Sequence, residues 1–298
     1  MRNGLIRGIP LYLMILPGFL FFVVFKYIPI GGLVIAFQEY DPFEGFLGSP
    51  WVGFANFQRL FTDQDFTSLL RNTLILSGLN LFLFFPAPIV FAVLLNEIRR
   101  SWFRKSVQTI VYMPHFLSWV VVVSITVLLF STQEGGINNL LADLGYQRVE
   151  LMTNPHYFRV LYLVQNIWKE SGWNAIIFLA ALAAVDPTLY EAAVVDGANR
   201  WRQMWHITLP ALKTTIVILF ILRLGQVMEL GFEHILLLQN PVNMSVSDVF
   251  DTYVYRNGVL QGDFSYSTTV GVFKSAVGLV LIILANRLAK VFGQEGVY

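Results

Sequence analysis

Apolar residues dominate the chain from Ile9 to Phe37, with Lys26 the only charge inside the stretch. A helix that crosses the hydrocarbon core of a bilayer needs about 20 mostly apolar residues. Five further stretches meet that length, at 72–95, 107–130, 158–185, 210–228 and 268–291, so with the first at 11–37 the pattern predicts six spans. The first is longer than required and is expected to bend near Pro29, and the second carries Pro86 and Pro88. Prolines inside spans are tolerated because neighbouring helices shield the loosened backbone. The predicted fold class is therefore all-α and transmembrane, in one membrane domain over 1–298.

Between the spans the polar segments also carry pattern. Phe54, Phe57 and Phe61 recur at helical spacing, which predicts a short amphipathic helix after the first span, and Ile137–Leu144 reads the same way. Such helices either pack on the domain or offer a docking surface to an outside partner. Lys and Arg in the loops set the orientation. The N-terminus, the 96–106 loop, the 186–213 segment and the C-terminus hold eleven of them, and the opposite side holds five: Arg59, Arg71, Arg148, Arg159 and Arg256. Both termini are expected on the cytoplasmic side of the cell membrane.

Composition strengthens this picture. Hydrophobic residues make up 56%, charged residues only 13%, and mean hydropathy is +0.61. A water-facing domain carries about 25% charge, so much of this surface faces something other than water. The 26 Phe, 12 Tyr and 7 Trp suit lipid contact and interfacial belts. Net charge is +1, which gives no field for nucleic acid, and the absence of cysteine excludes disulfides and thiolate chemistry. Arg2 and Arg7 before an apolar run raise the alternative of a cleaved leader, but the run exceeds the ~7–15 residues of a leader and no small-residue cleavage site follows. A retained first span is expected.

The inner segment between the fourth and fifth spans, Asp186 to Pro210, is structured rather than a plain connector. Asp186 before Pro187 is a helix start. Thr188 with Glu191 has the spacing of a capping box. Ala192 and Ala193 propagate helix, and Gly197 permits a sharp change of direction. A second short helix is expected with Trp201, Met204, Trp205 and Thr208 on one face, and Pro210 opens the fifth span. Two short helices lying along the cytoplasmic surface would either enter a groove of another protein or seat the domain in the interface.

Glu191-Ala192-Ala193, three residues, Gly197, nine residues, Ile207, one residue, Leu209-Pro210 resembles the signature (EAA) loop of permease subunits in binding-protein-dependent ABC importers. Phe54-Ala55-Asn56-Phe57 with Arg59-Leu60-Phe61, Arg71-Asn72-Thr73-Leu74 and Pro114-His115-Phe116-Leu117-Ser118-Trp119 are similar to maltose-type sugar permeases. The tail Phe292–Tyr298 resembles a subgroup linked to oligosaccharides and polysaccharide fragments. The resemblance implies a six-helix type I importer core with cytoplasmic coupling helices. It implies a second homologous permease, a dimer of ATP-binding subunits, an extracellular or periplasmic solute-binding protein, and a sugar as cargo. Glu191, Ala192, Ala193, Asp196, Gly197, Ala198, Ile207, Leu209 and Pro210 would then couple this chain to the ATPase, which carries the ATP and Mg. This chain would hold no cofactor.

Charged groups inside spans are costly and usually face a cavity or a partner. Lys169 and Glu170 fall mid-span among amides and two tryptophans. Gln165, Trp168, Glu170, Trp173, Asn174, Arg223, Gln226 and Glu229 form the pool of substrate-pathway candidates. Amides and carboxylates suit sugar hydroxyls, and aromatic faces suit sugar CH surfaces. The alternative for each is an internal polar network between helices. Asn80 and His115 are further candidates. The four histidines, at 115, 156, 206 and 234, are scattered, so no metal site is expected. The chain has no phosphate loop, Gly-x-Ser-x-Gly or His-Glu-x-x-His motif, which speaks against ATP hydrolysis or another enzymatic role in this chain. A permease for another solute and a secondary transporter remain as rivals. The latter would work without a partner.

Overall fold

The computed structural model describes residues 2–291, with side chains from Leu11 onward. The tail Phe292–Tyr298 lies outside the described residues, as do the Arg2 and Arg7 side chains. The chain is all-helical among the described residues apart from a single bridge between Gln38 and Trp51. Its principal helices are α1 (Leu11–Phe37), α2 (Phe66–Asn96), α3 (Ser101–Phe116), α4 (Trp119–Phe130), α5 (Pro155–Ala183), α6 (Pro187–Val195), α7 (Arg200–Gly225), α8 (Phe232–Leu238) and α9 (Phe264–Val291). Four of these, α1, α2, α7 and α9, are long and apolar enough to cross a membrane, and the number rises to six when the bent pairs α3–α4 and α5–α6 each count as one span. The short surface helices expected after the first span and near Ile137 form at Ala55–Thr62 and Gly136–Asp143.

Two expectations are corrected. The stretch 107–130 is not one rod, because α3 and α4 meet at 98°. Pro114 lacks the N–H that would continue the ladder, the chain narrows to a 3₁₀ turn at Met113–Phe116, and Leu117 and Ser118 are extended. The Ser118 hydroxyl then accepts from the Val121 N–H at 3.3 Å and starts α4. The fifth span does not open at Pro210 either. Helix runs from Arg200 to Gly225, with a π turn at Met204–Thr208 just ahead of Pro210 that absorbs the missing donor. In α2, a π turn at Asn80–Phe84 plays the same part ahead of Pro86. In α1 the hydrogen-bond pattern changes to a π turn at Val23 and to 3₁₀ turns from Ile28, next to Pro29.

The chain divides into two compact units, 1–66 with 254–273, and 67–253 with 274–298. The first is tied by polar contacts around its short surface helix. The Asn56 amide donates to the Ala36 and Gln38 carbonyls at 3.1 and 3.0 Å, and Arg59 pairs with Asp263 at 2.7 Å. The second holds apolar clusters among its described residues. One gathers Leu76, Phe158, Tyr162, Ile235 and Val249, and another gathers Ala92, Ala175, Phe178 and Leu212.

In lipid, helices associate through close packing and small residues rather than through loss of water. Gly172 of α5 lies against α3 so closely that a Cβ there would fall on the Val111 carbonyl. A backbone oxygen is not free to swing aside, so Gly172→Val should force α3 and α5 apart. We expect a loss of about 1–3 kcal/mol, read as a lower unfolding temperature of the reconstituted protein. Gly78, where an added Cβ would meet nothing within 4 Å, is the control, and Gly78→Ala should leave that temperature in place. A Cβ at Gly278 in α9 would likewise meet the Gly225 carbonyl at the end of α7.

Candidate functional site

The inner segment folds as an elbow joining α5 to α7. α6 leaves α5 at 71°, starting at Asp186, whose carboxylate accepts the Thr188 N–H at 2.9 Å with Pro187 at the first turn. Those hydrogen bonds from Thr188 hold the exposed Asp186 carboxyl below its usual range. Thr188 is thus inside the helix, and the capping box expected from Thr188 and Glu191 does not form, because Asp186 has already taken the cap position. α6 ends in a Schellman motif. The Ala198 N–H donates to the Ala193 carbonyl at 2.8 Å, and the Gly197 N–H to Val194 at 3.0 Å, with Gly197 in the left-handed region at φ +74°. Asn199 then caps α7 by accepting from the Arg202 N–H at 2.9 Å.

The two arms of the elbow are braced against each other and against the body. Tyr190 of α6 and Thr208 of α7 share a hydroxyl hydrogen bond of 3.1 Å. The Gln203 amide donates to the Ala198 carbonyl at 2.9 Å, and Arg200 faces Glu97 at the end of α2 at 3.8 Å. The expected single face of Trp201, Met204, Trp205 and Thr208 is not realised. Both tryptophans are exposed and Thr208 is buried, because the π turn shifts the helical register between them.

Glu191, Ala192, Asp196, Gly197 and Pro210 are exposed. Ala193, Ala198 and Ile207 are half-buried and, with Asp196 and Arg202, line a shallow groove of about 220 Å³. Leu209 packs onto the cluster around Leu212, so it seats the elbow in its own chain. Beside Glu191 and Ala192, Leu189, Val194 and Val195 leave apolar surface uncovered, with Val195 87% exposed.

A second site is a cavity of about 420 Å³ within the larger unit, walled by α2, α4, α5, α7 and the turn into α8. Of the sequence-derived pool, Glu170, Asn174, Arg223, Gln226 and Glu229 line it, and Gln165, Trp168 and Trp173 do not. Gln165 is buried in a relay in which its amide donates to Thr126 at 2.7 Å and its carbonyl meets His234 Nε2 at 2.7 Å. Trp168 lies exposed on the outside of α5, and Trp173 stacks on His115 at 4.5 Å.

Glu170 reaches the cavity already engaged. Lys169 Nζ lies 2.6 Å from one carboxylate oxygen and His115 Nδ1 2.8 Å from the other, while Lys169 also donates to the His115 carbonyl at 3.1 Å. The Asn174 amide donates to the Glu170 carbonyl at 2.8 Å. Asn80, the other amide considered from sequence, donates to the Tyr162 hydroxyl and accepts from Asn166, each at 2.8 Å. The turn that carries Glu229 is pinned from three sides. Tyr162 donates to the Leu230 carbonyl at 2.8 Å, the Leu230 N–H donates to Asp251 at 3.1 Å, and Ser77 donates to the Val227 carbonyl. Lys274 of α9 pairs in turn with Asp251.

Sequence reasoning missed Trp119, Asn166, Gly231 and His234 in this wall. Trp119 and Tyr162 sandwich the His234 ring at 3.6 and 4.9 Å. In α8, outside the candidate spans, burial and then the Lys169 cation pull His234 down to about 3, so it is neutral at physiological pH. No linear signal marks it, since α8 follows a segment with the composition of a loop.

The family model described as "Binding-protein-dependent transport system inner membrane component" matches residues 85–295, across the cavity walls and the elbow. The chain belongs to this family. It is a membrane-embedded permease of the ABC importer class, and ATP hydrolysis resides on a separate subunit. Among similar proteins, the polygalacturonan/rhamnogalacturonan transport system permease protein YteP of Bacillus subtilis (strain 168) is 59% identical over 97% of this permease and 90% of its own length. The arabinooligosaccharides transport system permease protein AraP of the same organism is 30% identical over 96% and 90%. A chain from a bacterial alginate ABC transporter, solved in complex with an alginate pentasaccharide-bound periplasmic protein, superposes with a TM-score of 0.89 at 40% identity. That match covers 100% of the permease and 99% of the other chain.

Proposed function

We propose that this permease forms half of the translocation pathway of an ATP-driven importer for oligosaccharides or polysaccharide fragments. In this reading a second permease completes the pathway, and a solute-binding protein delivers cargo from outside. A pair of ATP-binding subunits carries the ATP and Mg, and both termini are cytoplasmic. The observation that carries it is the elbow, in which a capped, cross-braced helix ends in exposed apolar surface at Leu189, Val194 and Val195. Local order of this kind lets a docked ATPase move α5 and α7 as rigid bodies, which a slack loop would not transmit. Glu191, Ala192, Ala193, Asp196, Gly197, Ala198, Ile207 and Pro210 provide the contact, while Leu209 also holds the elbow to the body. The carbohydrate named for each of the three relatives supports the cargo class.

The test is reconstitution with the candidate partner subunits. Uptake of a labelled oligosaccharide into proteoliposomes should require the binding protein, both permeases and ATP on the ATPase side. Uptake by this chain alone, driven by an ion gradient, would replace the importer reading with a secondary transporter.

A further inference from the structure

We infer that a phospholipid with an amino headgroup occupies a groove along α4, its acyl chain between α4 and α8 and its headgroup against the loop that follows Phe130. The inference needs only that the chain is embedded in a bilayer, so it stands or falls apart from the cargo reading.

The groove has two parts that meet at Val127. The first, about 340 Å³, is lined by Val120, Val123, Ser124, Val127, Leu128 and Leu237. Its floor is firm, because Val123 is buried and Leu237 packs on the apolar cluster around Leu76 and Tyr162. The second, about 480 Å³, begins where α4 ends, and Ser131, Thr132, Gln133, Glu134 and Thr153 line it beside Met152. A groove that is apolar along a span and polar at its end has the profile of a lipid, with the tail in the hydrocarbon and the head at the water boundary.

Its size selects a chain over a helix. Val120 to Leu128 rises about 12 Å at 1.5 Å per residue, so 340 Å³ leaves a cross-section of roughly 28 Å². A helix of a partner protein is about 10–12 Å across and does not enter. One extended acyl chain does.

The mouth is held rigid from within. The Asn138 amide nitrogen lies 3.0 Å from the Phe130, Ser131 and Val149 carbonyls, and the Asn138 oxygen accepts the Val149 N–H at 2.8 Å. A Cβ at Gly135 would fall on the Ser131 backbone. Arg148 donates to the Thr132 and Gln133 carbonyls at 2.7 and 2.6 Å, which sets a positive charge beside the mouth for a phosphate. Among the described residues, the Glu134 carboxylate has no hydrogen bond or ion pair, and it supplies the negative charge that an ammonium needs. A headgroup with both charges is complemented, and one with a phosphate alone is not. Bulk lipid tails are as apolar as the groove, so the choice among lipids is made at this mouth.

The experiment places the permease, in its assembled complex, in nanodiscs of phosphatidylglycerol. Two probes are added in turn at equal low mole fraction, phosphatidylethanolamine and phosphatidylglycerol, each with a photoreactive diazirine in its tail. Peptide mapping then counts adducts on residues 119–130. The wild type should give at least about threefold more adduct there with the ethanolamine probe, the scale of an exposed ion pair. Glu134→Gln, at an exposed position, should bring that ratio to one. Leu128→Trp should fill the groove and remove the adducts of both probes, while adducts at exposed Leu279 of α9 stay as they were. Equal labelling by the two probes, a ratio that survives Glu134→Gln, adducts unchanged in Leu128→Trp, or an unlabelled groove, the result if a partner chain covers it, would overturn the assignment.

Discussion

Gly197→Asp is expected to lower ATP-driven uptake at least tenfold while leaving the permease folded. Gly197 sits at φ +74°, where most residues are strained, but Asp is among the few that tolerate the left-handed region. A Cβ at this position meets nothing within 4 Å of its own chain. The substitution therefore neither breaks the Schellman turn nor clashes inside the molecule. What it changes is the outer surface of the elbow, where it adds bulk and a negative charge beside Asp196 and Glu191. A surface that makes close contact with a partner will not accept both. Gly197→Asn, with similar bulk and no charge, should retain more uptake than Gly197→Asp. ATP hydrolysis by the assembled complex should persist without cargo movement. Normal ATP-driven uptake in the Asp variant would remove the coupling role from the elbow.

The second large effect concerns the cluster beneath the cavity. Lys169→Met should destabilise the assembled permease by about 3–5 kcal/mol, because it strips one partner from an ion pair whose side chains are only 7% and 19% exposed. Glu170 would keep His115 at 2.8 Å but lose its permanent counter-charge, and the His115 carbonyl would lose a donor. Lys169→Met with Glu170→Gln removes both charges and should recover a substantial part of the loss, since a buried pair replaced as a unit costs little. The unfolding temperature of the single variant in nanodiscs is the readout. A single variant as stable as the wild type, or a double variant that falls by the sum of the two single losses, would show that the pair is not coupled.

The elbow was legible in the sequence because the rules that build it are local. Asp186-Pro187 fixes a helix start, and Gly197 marks the turn within the span of a few hydrogen bonds. Where two local rules competed, at Asp186 and Thr188, the sequence offered both and the structure selected the one compatible with Pro187 in the first turn. The spans were legible from hydropathy, but the 98° break at Leu117-Ser118 was not, because the run from Val107 to Phe130 stays apolar across it. Cavity residues were half legible. Arg223, Gln226 and Glu229 stand out as polar groups at the end of an apolar run, and Glu170 stands out as a charge within one. Gln165 stands out equally, yet it is spent on Thr126 and His234, and only the fold shows which amides are already paired. Trp119 and His234 meet from segments more than a hundred residues apart, and no spacing rule connects them.

The absence of cysteine makes the central claim directly testable. Val195→Cys places a single thiol on the most exposed large apolar residue of α6, which a short bifunctional reagent can link to whatever lies against it. In the assembled, transport-competent complex the adduct should join this permease to the ATP-binding subunit, and its yield should change when ATP is bound. A thiol shielded by lipid, or one that links only to membrane-embedded chains while transport proceeds, would contradict the account.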